Sequence, residues 1–142
     1  MFTMIEVSNL TEQTIQPGQS VIFDNILLRT TCGAEKFNLQ VPTFIKLCAR
    51  GIYVLTFSGN IAATADNTLI QLAMTIGSSA LTGTTMIATP ATAGNFNNIS
   101  TTKLFYNDAC CGGSTDQISI TNTGSNPVIL MAGSGFAATR RS

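Results

Sequence analysis

The stretch Gly51-Ile-Tyr-Val-Leu-Thr-Phe-Ser-Gly-Asn-Ile61 constrains the fold of this chain more than any other. Read with a period of two, Tyr53, Leu55, Phe57 and Ile61 share one face, and Val54, Thr56, Ser58 and Asn60 share the other. The first face is strongly apolar, and the mix of Ile, Tyr, Val, Thr and Phe is what a pleated, half-buried surface accepts. This is a β-strand entered from a short charged segment, Lys46-Leu-Cys-Ala-Arg50.

The remaining segments follow the same period, with no helical periodicity. Strands are expected over 4–7, 21–28, 69–76, 85–88 and 99–106. The alternating stretch 37–47 is interrupted by Pro42, which removes a ladder donor and argues for an edge or a break into two short strands. Ile70, Leu72, Met74 and Ile76 form one face of their strand, and Ile99, Thr101, Lys103 and Phe105 one face of theirs. Segments 118–121 and 128–132 read as a hairpin around Asn122-Thr-Gly-Ser-Asn-Pro127. Turn signals, such as Gln16-Pro17-Gly18-Gln19, recur about every 8–12 residues. Roughly eight to ten short strands with such spacing predict an all-β sandwich or barrel. A single domain over 1–142 is expected, with 1–10 a candidate N-terminal attachment arm and 133–142 a C-terminal tail of small residues.

Charge is scarce. Seven Lys and Arg balance seven Asp and Glu, so no basic field exists to hold nucleic acid or an anionic membrane surface. No apolar run approaches the ~18 residues of a membrane helix, and Met1-Phe-Thr-Met-Ile-Glu6 lacks the pattern of a signal peptide. The expected place of synthesis is therefore a cytosol. Hydrophobic residues make up 44% and mean hydropathy is +0.30, while the polar complement is largely uncharged Thr, Ser and Asn. Such a chain exposes a neutral surface or buries part of it against copies of itself; we favour the second. The apolar faces of 52–61, 69–76 and 99–106 exceed what one sandwich core buries. A homotrimer is expected, with Tyr53, Leu55, Phe57 and Phe105 as candidates for its axis.

Catalytic chemistry is hard to place. The absence of histidine removes His-assisted Ser or Cys nucleophiles. The close acids Asp108 and Asp116 lie in a Gly/Ser loop, where turn-capping is the plain reading and a Ca²⁺ site the sharper one. Cys32, Cys48, Cys110 and Cys111 show no Cys-x-x-Cys spacing. Packing thiols are the default, with a Cys32–Cys48 bridge, a vicinal Cys110–Cys111 disulfide or zinc as alternatives. No catalytic, cofactor or metal residue is assigned, and an enzyme is not expected.

Several segments carry a resemblance. Gly51-x-Tyr53-x-x-x-Phe57, followed by a Leu/Ile strand ending on Gly-Ser-Ser, resembles the tumour necrosis factor/complement-type jelly roll. More narrowly, Pro17-Gly-Gln-Ser-Val-Ile-Phe23, Arg50 to Ala62, Ile87-Ala-Thr-Pro-Ala91, Phe96-Asn-Asn-Ile-Ser100, Cys110-Cys111 and Ile118-Ser-Ile-Thr-Asn-Thr-Gly124 resemble, in order, small proteins of Firmicutes phages. These are similar to the C-terminal domain of a spore-surface collagen-like glycoprotein. The chain departs from their pattern by ending in Arg140-Arg141-Ser142 and by lacking a Gly-x-y stalk.

The resemblance implies a non-enzymatic jelly-roll homotrimer on a particle surface. The expected function is a phage virion structural protein, a capsid decoration or head-fibre trimer, made in the host cytoplasm and located on the virion. Alternatives are a receptor-binding tail tip or a bacterial spore or cell-surface trimer. Its expected partners are itself, the phage major capsid protein and a host-surface glycan, without nucleic acid, membrane or cofactor. Phe2, Met4 and Ile5 are the candidates for capsid attachment, by adding a strand to a capsid edge.

Overall fold

The computed structural model describes residues 3–30, 35–77, 79–108 and 117–141. Among them are thirteen strands and no helix. In chain order these are β1 (Thr3–Ser8), β2 (Gln13–Ile15), β3 (Asn25–Arg29), β4 (Glu35–Lys36), β5 (Ile45–Leu47), β6 (Gly51–Ala63) and β7 (Ile70–Ile76). They continue as β8 (Ser79–Ala80), β9 (Met86–Ala88), β10 (Asn97–Asn107), β11 (Gln117–Thr121), β12 (Val128–Leu130) and β13 (Gly135–Arg140).

Strand β6 is the longest and the hub of the first sheet. One edge pairs with β10 along its length, from Asn97 opposite Ile61 to Asn107 opposite Gly51. The other edge is shared: β13 pairs with 53–58 and β12 with 61–63. Beyond β13 lie β1 and then β3, and beyond β12 lies β2. The second sheet runs β4-β5-β11-β7-β8, with β9 also on β7. Every pairing is antiparallel.

The core lies between the sheets and follows from the alternation. From β6, Tyr53, Leu55, Phe57 and Ile61 point inward, fully buried, and meet Ile45, Leu47, Ile70, Leu72, Met74, Ile118 and Ile120. Three phenylalanines from distant parts of the chain form one cluster. Phe23 lies 6.4 Å from Phe57 and 5.5 Å from Phe136, and Phe57 lies 6.5 Å from Phe136. The two pairs at 69° and 70° are edge-to-face, the arrangement that ring quadrupoles favour.

The structure differs from the sequence-based expectation in several places, and the alternating stretch 37–47 forms a strand only at its end, as β5. The segment 118–121 does not form a hairpin with 128–132: β11 belongs to the second sheet and β12 to the first. Asn122 holds the crossing. Its buried amide donates to the carbonyls of Ile15 (2.9 Å) and Asn126 (2.8 Å), and its Oδ1 accepts from the Gly124 amide (3.0 Å). Three good bonds on a buried amide make the crossing more favourable than a two-strand ribbon.

The expected strand over 21–28 starts only at Asn25. Val21 and Phe23 are nonetheless buried, their amides donating to the carbonyls of Ile120 (2.8 Å) and Pro42 (2.9 Å). The expected tail contains β13, a central strand between β6 and β1. The expected arm is largely β1, hydrogen-bonded to β13 on one side and β3 on the other, with Ile5 and Val7 fully buried. Asn9 and Ser134 tie the two ends together: the Ser134 hydroxyl and amide both donate to Asn9 Oδ1. Residues 3–8 are therefore structural, and a free arm is not available there.

The aromatic cluster yields a stability prediction. Phe136→Ala is expected to destabilise the chain by about 3–5 kcal/mol, because it removes the side chain that both other rings contact. Denaturant unfolding measures it; a loss below about 1 kcal/mol would mean the cluster is peripheral to the core.

Candidate functional site

The residues expected at the trimer axis lie inside the protomer. Tyr53, Leu55 and Phe57 are 0, 0 and 1% exposed, and Phe105 is half-buried against the same core. Tyr53 is satisfied as well as enclosed, its hydroxyl donating to the Ala49 carbonyl at 2.6 Å. Burial raises the pKa of that hydroxyl. Of the residues expected to attach to a capsid, Ile5 is in the core, Met4 is half-buried on the outward side of β1, and Phe2 lies outside the described residues.

One surface open to a partner is the alternate set. Because a strand's successive side chains point to opposite faces, burying Tyr53, Leu55 and Phe57 turns Ile52, Val54, Thr56, Ser58 and Asn60 outward. The register sets them opposite Tyr106, Leu104, Thr102, Ser100 and Asn98 of β10. Ile52 is 43%, Leu104 69% and Tyr106 60% exposed, so one end of this face is an open apolar patch. The same rows continue across the sheet: Val54 faces Thr139, which faces Met4, and Thr56 faces Ala137, which faces Glu6. Along the outward positions of β1, β6, β10 and β13, Glu6 is the single charged residue in these strands. Three large exposed apolar side chains grade into threonine, serine and asparagine. Chemically the face can bury surface against an uncharged partner.

Sequence reasoning identified the two faces of β6 and could not tell which one the second sheet covers. A usable signal was present in β10, where Leu104 and Tyr106 alternate with Lys103 and Phe105. Large apolar residues on both faces of a strand leave one of them exposed when a single sheet packs on the other.

Among the described residues no group of three or more acidic, Cys or His side chains could hold a metal ion. Cys48 is half-buried at the end of β5, while Cys32, Cys110, Cys111 and Asp116 lie outside the described residues. No helix among the described residues is long and apolar enough to cross a membrane.

Comparison with solved structures identifies the fold. Eiger TNF from S. frugiperda superposes with a TM-score of 0.70 at 11% identity, over 99% of this chain and 93% of that one. Murine APRIL, in its structure at pH 5.0, gives 0.68 at 13% identity over 99% and 100%. The PRD1 vertex protein P5 gives 0.53 at 17% identity over 99% and 96%. No protein-family model matches the sequence, and no curated protein matches it, so neither comparison supports the narrower phage or spore-glycoprotein resemblance.

One titrating group tests the packing beside β1. Glu35 is buried, and burial raises its pKa above the usual 4.5, opposed by the Thr3 hydroxyl donating to Oε1 at 2.7 Å and by Arg140. A carboxyl raised in the folded state keeps a proton that the unfolded chain releases, so stability falls as pH rises through a window opening at 4.5. Glu35→Gln removes that fall. Between about pH 4 and about pH 7 the variant should gain on the wild type in thermal unfolding. Parallel pH profiles for the two proteins would contradict the assignment. By its sheets, strand order and these neighbours, the chain is an all-β jelly-roll sandwich of the tumour necrosis factor-like type.

Proposed function

We propose that this protein is a non-enzymatic phage virion structural protein, a homotrimer displayed on the capsid as a decoration or head-fibre component. The observation that carries the trimer is the outward face of β6 and β10, where Ile52, Leu104 and Tyr106 stand exposed on a face with almost no charge. An apolar patch ringed by Thr, Ser and Asn is the composition of a surface covered by a like surface. Three copies arranged about an axis bury that patch in a closed assembly. The fold shared with a vertex protein supports a place on a virion, and a trimer matches a three-fold or quasi-three-fold capsid position in symmetry. The major capsid protein is the proposed partner.

Leu104 offers a direct test. In a lone protomer it is solvent-facing, so Leu104→Glu should leave folding within about 0.5 kcal/mol. In a trimer the same change buries an unpaired carboxylate, which costs several kcal/mol in association. Sedimentation should therefore shift from three times the 14.9 kDa chain mass to a single chain, with an unchanged circular dichroism spectrum. Mass spectrometry of purified virions should find the protein at a fixed ratio to the major capsid protein. Its absence there, or its recovery with tails alone, would overturn the capsid reading.

A further inference from the structure

The two sheets meet at a corner remote from β10. In the first sheet, β6, β13 and β1 separate β10 from β3; in the second, β4 is the edge strand. Between these edges is a cavity of about 620 Å³ lined by Arg29, Lys36, Lys46, Phe37, Phe44 and Gln117 among others. That volume is within the range of small-molecule sites. Three of the chain's seven cationic side chains stand around it.

Their arrangement is costly without a counter-ion. Lys36 of β4 is directly opposite Lys46 of β5, and like charges so placed repel. Lys46 in turn faces Gln117 of β11, so Lys36, Lys46 and Gln117 form one row across three adjacent strands. Among the described residues neither lysine has a carboxylate partner. Arg29 reaches across from β3, with Nη2 donating to the Phe37 carbonyl at 2.7 Å, which fixes the guanidinium near the row and leaves its other N–H groups to spare. Glu35, the lining acid, is on the opposite side of β4 from Lys36, buried and bonded to the Thr3 hydroxyl. Burial also favours its uncharged form. Phe37 and Phe44 supply an apolar wall, while Thr30, Asn38 and Gln117 supply neutral polar groups.

We propose that this corner binds an anionic saccharide unit, a sugar carrying one phosphate or carboxylate. The anion sits over the Lys36–Lys46 pair and Arg29, the apolar side of the sugar ring lies against the phenylalanine wall, and its hydroxyls meet the amides. Cations alone would select any anion; the apolar wall and amides select for the sugar attached to it. The inference stands apart from the virion reading, since it uses neither the face of β10 nor any capsid contact.

Isothermal titration of the whole protein with glucose 6-phosphate, glucuronate, glucose and inorganic phosphate tests it. At least one of the two sugar anions should bind at low salt and weaken as salt rises, with glucose and inorganic phosphate at least about tenfold weaker. The first two arms tell a phosphate preference from a carboxylate preference. Lys36→Gln should weaken that binding about tenfold or more and raise the melting temperature of the ligand-free protein, because it removes the repulsion. Inorganic phosphate binding as tightly as the sugar anions would overturn the saccharide assignment. No binding by either sugar anion, or unchanged affinity in Lys36→Gln, would overturn the site.

Discussion

The structure depends on the two-sidedness of one strand. β6 is hydrogen-bonded along both edges, so its only freedom lies in its faces. One face carries Tyr53, Leu55 and Phe57 into the core, where Phe57 joins Phe23 and Phe136 and draws the chain's beginning and end onto its middle. Because the side-chain period is two, this burial presents Ile52, Val54 and Thr56 outward, and Ile52 stays 43% exposed. Core and outward face are consequently fixed together by the alternation of one strand, and a one-residue slip would exchange them.

Much of the fold was legible for the same reason. The strands at 51–63, 70–76 and 97–107 alternate long enough for the period to identify them and their faces. What alternation lacks is which face the opposing sheet covers. Tyr53 and Leu55 were expected at an axis because their side is the more apolar, yet that side is what the protomer's own core demands first. The interface we propose is drawn from what remains exposed, Leu104 and Tyr106 included.

Other features were hidden by composition. β13 reads Gly-Phe-Ala-Ala-Thr-Arg, with one large apolar residue, and so resembles a tail; its small residues suit a central strand flanked by β6 and β1. The sheet crossing at Asn122 looks like a hairpin because the turn residues are the same in both cases. Only the buried partners of the Asn122 amide, among them Ile15 far away in sequence, distinguish them. The Lys36–Lys46 pairing was equally invisible, since it depends on the register of two short strands on either side of Pro42.

The two proposed surfaces are spatially separate: an uncharged face at β6 and β10, proposed for self-association, and a cation-rich corner at β3 and β4 at the far edge of the same sandwich. The central claim is that the first of these faces is closed by copies of the chain. Native mass spectrometry of the purified protein at micromolar concentration tests it most directly. The account predicts a single species of three times 14.9 kDa, and a species of one chain mass would contradict it.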